Sequence, residues 1–178
     1  MNDQDDLETD QHQAARNIAL RQLSAAPKTR HQLAEKLRSR EIADNVVEEV
    51  LDRFEEVELI DDAAFAESWV RSRHRSKGLA RRALSMELRQ RGIADDLAAV
   101  ALEQVSDEDE WTAAYDLVMR KLSRTKVPAS TDPESRQQRD RIVRRLVGML
   151  SRKGYVPGVA FNVVTSALDA VDLDPLDE

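Results

Sequence analysis

A 19-residue pattern occurs three times in this chain and constrains its fold more than any other feature: LAEKLRSREIADNVVEEVL from Leu33, LSMELRQRGIADDLAAVAL from Leu84 and LVGMLSRKGYVPGVAFNVV from Leu146. The apolar positions align without a gap as Leu33/Leu84/Leu146, Leu37/Leu88/Leu150, Ile42/Ile93/Tyr155, Val46/Leu97/Val159 and Val50/Ala101/Val163. The first offset is 51 residues and the second 62. Internal repetition of this kind marks a repeat architecture, in which no unit buries a core alone and neighbours must stack. The expected fold is all-α: three tandem three-helix repeats, helix-turn-helix-like, stacked into an elongated, curved molecule.

Residue usage agrees with helices. Aromatic residues make up 4% of the 178 positions and charged residues 34%, with five Gly and five Pro, a poor mixture for sheets. There is no cysteine, which excludes disulfides and thiolate metal sites. No basic segment followed by an apolar run opens the chain, and no stretch is apolar enough to span a bilayer. A soluble cytoplasmic protein without membrane contact is expected. The net charge of −7 is concentrated at the ends. Residues 1–10 carry five acids and residues 169–178 another five, all without a base. The remaining 24 acids face 27 Lys and Arg, so the body is near +3 and an anionic partner is not excluded.

Periodicity and punctuation divide the chain into nine helices. In residues 13–60, the first repeat, a helix over 13–25 turns Ile18, Leu20 and Leu23 inward and stops before Pro27. Thr29 with Gln32 reads as a capping box. Asp44 is the N-cap candidate of the third helix, which buries Val46, Val47, Val50, Leu51 and Phe54. The second repeat, 61–105, opens at Asp61-Asp62, either of which serves as a cap, and has helix stops at Gly78 and Gly92. The third, 106–171, starts with Ser106 as cap and contains a loop over 125–135 that holds Pro128 and Pro133. Its second helix covers 136–152, Gly154 ends that helix, and Pro157 begins the last. Residues 1–12 and 172–178 read as acidic tails, disordered at the N-terminal end.

Charge is distributed unevenly over this frame. Between residues 71 and 92, Arg71, Arg73, Arg75, Lys77, Arg81, Arg82, Arg89 and Arg91 meet a single acid, Glu87. Between 136 and 153, Arg136, Arg139, Arg141, Arg144, Arg145, Arg152 and Lys153 meet only Asp140. One reading is a solvated face with bases gathered at helix C-termini. The other is an anionic partner, phosphate or carboxylate, which the planar guanidinium fork suits. Arg71, Arg73, Arg75, Lys77, Arg81 and Arg82 lead the candidates for that contact, followed by Arg144 and Arg145, with Arg89 and Arg91 on the same basic face. No aromatic side chains interleave the bases, so sequence-specific readout is not indicated. There is no phosphate-cradling glycine loop, His12, His31 and His74 lie far apart, and no residue set supplies a nucleophile, base or metal site. Trp69 and Trp111 are read as packing residues. The expectation is a protein without catalytic activity, cofactor or metal.

Several of these residues together resemble one family. Leu59-Ile60-Asp61-Asp62-Ala63-Ala64-Phe65-Ala66, then Trp69, Arg71-Ser72-Arg73 and Lys77-Gly78, then Glu87-Leu88-Arg89-Gln90-Arg91-Gly92-Ile93 are similar to the pattern of the RecX regulatory family. Leu33-Ala34-Glu35-Lys36-Leu37 extends the likeness into the first repeat, and overall it covers about residues 13 to 170. The resemblance implies a regulator, mainly an inhibitor, of the RecA recombinase, which binds RecA and the RecA–DNA filament and is linked to DNA repair and the SOS response. It also implies a monomer that lies along the filament. Direct, non-sequence-specific binding of single- or double-stranded DNA is the alternative. Three departures stand out. Glu58 and Glu41 occupy positions where the family carries glycine, and Leu79-Ala80 replaces a Gly-Pro-like pair, changes expected to alter turn geometry.

Overall fold

The computed structural model describes residues 2–129 and 132–173, the side chains of residues 2–8 excepted. Nine α-helices and no strands occur among the described residues: α1 (Asn2–Ala25), α2 (Arg30–Arg38), α3 (Asp44–Glu56), α4 (Asp62–Lys77), α5 (Arg81–Gln90), α6 (Asp95–Leu102), α7 (Asp107–Leu122), α8 (Pro133–Arg152) and α9 (Pro157–Leu173).

Most helix ends follow from local chemistry. Thr29 caps α2 with a complete capping box, its hydroxyl accepting from the Gln32 amide while the Gln32 side chain accepts from the Thr29 amide. Asp61 accepts from the Ala64 amide at 2.8 Å and caps α4. Ser106 and Asp109 form a second capping box at α7.

Four expectations are corrected. The first helix starts at Asn2, not at residue 13, so residues 2–12 are helical. Acids favour a helix N-terminus, and α1 is held by Gln11, which accepts from the Ala43 amide, and by His12, 2.8 Å from Glu49. Leu20 is 44% exposed, and Ala15 and Ala19 are buried in its stead. One residue turns a helix by about 100°, which carries Leu20 off the face that the two alanines lay against the core. Asp44 lies inside α3, whose N-cap is Ala43, and pairs with Arg38 at 2.8 Å. Pro133 belongs to α8 and not to the preceding loop, because Asp132 accepts from the Glu134 and Ser135 amides and Pro needs no donor at a first turn. The acidic residues 174–178 lie outside the described residues.

The chain divides into two compact units. The first comprises Met1–Trp69 with Glu87–Ala101, the second Val70–Met86 with Leu102–Glu178. The boundaries therefore pass through α4, α5 and the end of α6 and do not follow the three repeats. In the first unit Leu33, Leu37, Val46, Val47, Leu51 and Phe54 form a core closed by Ala15 and Ala19. In the second, α7 and α8 both pack on α9 around Val118, Leu122, Leu146, Leu150, Val163 and Val164.

Each unit contains one junction between successive repeats, and the two junctions use equivalent residues. In the first, the buried Thr29 hydroxyl donates to the Arg91 carbonyl at 2.6 Å, and Asp62 accepts from the Arg30 amide at 2.9 Å. In the second, the Ala80 amide donates to the Lys153 carbonyl at 2.9 Å, and Glu110 accepts from the Arg81 amide at 2.6 Å. Thr29 and Ala80 are 51 residues apart and Arg91 and Lys153 62, the offsets of the sequence repeat. Thus an acid on the first helix of one repeat satisfies an orphan amide on the second helix of the repeat before it. Proline in place of Ala80 would remove one of these bonds.

Glycine is required at these junctions. Gly92 and Gly154 adopt φ of +72° and +93°, and an added Cβ would stand 2.3 Å from His31 Cβ and 2.6 Å from the Ala83 backbone nitrogen. Glu41, their equivalent in the first repeat, has φ of +62° and an exposed side chain. The following residue bonds back to the carbonyl five positions earlier at all three turns (Ile42 to Leu37, Ile93 to Leu88, Tyr155 to Leu150). Glu58 likewise takes φ of +57°. The glutamates thus keep the left-handed turn they were expected to alter, at the expense of local strain.

Candidate functional site

The cations singled out in the sequence fall into two groups. Some are committed within their own unit. Arg81 donates its backbone amide and a guanidinium nitrogen to Glu110 and pairs with Asp107. Arg91 lies 3.7 Å from the ring centroid of Trp69, which stacks on Phe65 at 5.6 Å and donates its indole N–H to Glu87 at 2.8 Å. The same arginine donates to the Glu87 carbonyl at 2.7 Å. Arg73 is half-buried. Arg89 reaches Asp95 at 3.2 Å, but both side chains are largely exposed and the pair contributes little.

The other group faces solvent. Arg71, Arg75, Lys77, Arg82, Arg144 and Arg145 are exposed, all in the second unit, and none forms a salt bridge among the described residues. Arg144 donates to the Asp140 carbonyl at 3.3 Å and Arg145 to the Thr125 hydroxyl at 3.3 Å. Arg75 and Lys77 lie in the last turn of α4, where the helix dipole favours positive charge. Close by in this unit, Lys153 donates to the Lys77 carbonyl at 2.5 Å. Burial pulls the Lys153 ammonium below its ordinary pKa, and the charges of Lys77 and Arg120 add to the effect. Arg75 and Arg120 share a neighbouring cleft with Glu108, Asp109 and Asp116, so acids line this corner as well as cations.

Lys121, Arg124 and Arg152 complete the picture. With Arg145 they line a cleft between α7 and α8, floored by Leu146 and Met149 and edged by Thr125. Sequence spacing hinted at half of it, since Arg145 and Arg152 are seven residues apart on α8 and share a face. That Lys121 near the end of α7 and Arg124 in the turn after it lie opposite them is a tertiary fact. Trp69 is a packing residue, as read from the sequence, whereas Trp111 is 38% exposed. Among the described residues no group of three or more His, Asp or Glu side chains is placed to hold a metal ion, and no helix is long and apolar enough to cross a membrane.

Comparison with known proteins gives this arrangement a family. A family model described as "RecX, first three-helix domain" matches residues 15–54, and one described as "RecX, second three-helix domain" matches residues 61–102. The regulatory protein RecX of Streptomyces coelicolor is 52% identical over 155 residues, which cover 87% of this chain and 78% of that protein. The chain belongs to the RecX family of regulatory proteins. The RecX of Thermobifida fusca is 49% identical over 161 residues, covering 90% of this chain and 82% of its own. The crystal structure of RecX from Lactobacillus salivarius superposes with a TM-score of 0.71 at 22% identity, over 93% of this chain and 99% of that one, which shows a shared fold. The motif residues that carry the RecX resemblance include Asp62, Trp69, Glu87, Arg91 and Gly92, and these are junction and packing residues.

Proposed function

We propose that this chain regulates a RecA recombinase, mainly as an inhibitor, by binding RecA and its filament on DNA, and that it acts in DNA repair and the SOS response without catalysing a reaction. Membership of the RecX family, at 52% identity to a protein named as its regulatory member, carries the reading. The surface supports it: Arg71, Arg75, Lys77, Arg82 and Arg144 are exposed cations with no carboxylate partner among the described residues. A filament is a repetitive polyanion, and contacts spread over several residues add affinity without a deep pocket. Arg81 and Arg91 take a structural role in this reading, because their guanidinium groups are already engaged.

The test is the single-stranded-DNA-dependent ATPase of the cognate RecA. Stoichiometric amounts of this protein are expected to suppress it, and the double variant R71E/R75E to suppress it less. ATPase unchanged by the wild-type protein at stoichiometric amounts overturns the proposal.

A further inference from the structure

We propose that the cleft between α7 and α8 is a binding site for the phosphodiester backbone of single-stranded DNA. Lys121, Arg124, Arg145 and Arg152 surround it, all four exposed, and no carboxylate lines it. None of the four forms a salt bridge among the described residues, whereas Arg30, Arg38, Arg81 and Arg139 all do. Positive charge left uncompensated on facing elements repels itself, so the arrangement is relieved by an external anion. Arg145 donates to the Thr125 hydroxyl at 3.3 Å and that hydroxyl donates to the Lys121 carbonyl at 2.8 Å, which holds Arg145 at the rim without neutralising its charge.

Shape and floor select among anions. The open cleft offers about 430 Å³, more than a free phosphate fills. Its floor is Leu146 and Met149, an apolar surface between charged rims. A nucleotide strand presents that alternation, with phosphates outward and sugar or base between them. No aromatic or amide side chain lines the cleft to read base edges, so binding is independent of sequence. The site is separate from the regulator reading: it requires only this protein and an oligonucleotide, and its failure leaves the ATPase test unaffected.

The experiment is fluorescence anisotropy of a labelled oligothymidine with the full chain over a salt series. Each phosphate contact to a single strand contributes about −0.7 to the log–log slope of affinity against salt. The double variant R145A/R152A therefore flattens the slope by about 1.4 and, referenced to 1 M salt, weakens binding at about 50 mM roughly 60-fold. K121A/R124A behaves alike, while R145K/R152K keeps most of the slope. R16A/R21A removes the same charge from exposed positions on α1 and is expected to leave the slope unchanged. Circular dichroism checks that each variant is folded. Equal slopes for wild type and R145A/R152A overturn the proposal. So does an equal loss in R16A/R21A, which reduces the effect to net charge, and so does tighter variant-sensitive binding of duplex DNA or polyglutamate than of oligothymidine.

Discussion

Replacing Gly154 with alanine tests the junction logic most directly. The residue sits at φ +93°, and an added Cβ would lie 2.6 Å from both the backbone nitrogen and Cβ of Ala83, with Ala83 Cα at 3.1 Å. Carbon contacts are optimal near 3.5–4.0 Å, and a backbone atom at the N-terminal turn of α5 cannot rotate away as a side chain can. Left-handed backbone costs a non-glycine residue about 1–2 kcal/mol. Overpacking adds about 1–3 kcal/mol. Reduced freedom of the unfolded chain offsets about 0.4–1 kcal/mol. The net destabilisation is about 2–4 kcal/mol, and at roughly 2–4 °C per kcal/mol for a chain of this size the melting temperature falls by about 5–15 °C. Gly158 is the internal control: it lies in the first turn of α9, and a Cβ there meets nothing within 4 Å. Gly158→Ala is expected to stabilise by up to about 1 kcal/mol. Urea unfolding followed by circular dichroism gives both values. Hydrogen exchange adds a local readout, because Gly154→Ala should deprotect the Ala80 amide that donates to the Lys153 carbonyl. A Gly154→Ala protein as stable as wild type, or a Gly158→Ala protein that loses as much, refutes the reasoning.

The strained glutamates predict the opposite sign: Glu41→Gly and Glu58→Gly each raise stability by about 0.5–1 kcal/mol, left-handed strain relieved less the added entropy of the unfolded chain. A lowered unfolding midpoint in either would show that no strain is present. Thr29→Val removes the cap and the bond to the Arg91 carbonyl and destabilises by about 2–3 kcal/mol, whereas Thr29→Ser keeps most of the loss from appearing. Equal melting temperatures for the valine and serine variants contradict this. Asp62 is held above the ordinary carboxylate range mainly by burial. Its folded pKa exceeds its unfolded one, so its contribution is complete below the unfolded value and declines as pH rises through the folded one. Asp62→Asn retains the acceptor without the charge, and its stability relative to wild type should grow from acid to neutral pH. A gap that shrinks over that range counts against the assignment.

The helices were legible because their signals are local. Leucine and valine recur at helical spacing, and Thr29, Asp61, Ser106 and Pro157 announce starts within a turn of where they occur. The misplacements are also local in origin. Pro133 breaks a helix interior but suits a first turn, and only the Asp132 cap decides between the two. The site was less legible, since whether an arginine is available depends on residues far along the chain. Arg81 looks like part of a basic run until Glu110, 29 residues on, is laid against it. Arg91 reads as a helix-end cation until Trp69 is placed beneath it. In the same way Lys121 and Arg124 carry no sequence signal until α7 faces α8.

A division of labour follows within the arginines themselves. The family motif around residues 61–93 combines residues that build a junction or its packing (Asp62, Trp69, Glu87, Arg91, Gly92) with exposed cations such as Arg71. The first kind is fixed by geometry: changing Gly92 or Arg91 disturbs the layer in which two repeats meet. The second kind, with Arg75, Arg82, Arg145 and Arg152, lies on exposed helix faces where substitution leaves the core intact. Charge reversal at Arg81 would set a new carboxylate against Asp107 and Glu110 and weaken the second junction whether or not Arg81 ever touches a partner. Loss of function at that residue thus bears on recognition only when the melting temperature is unchanged, and the pairing to Glu110 predicts that it will not be.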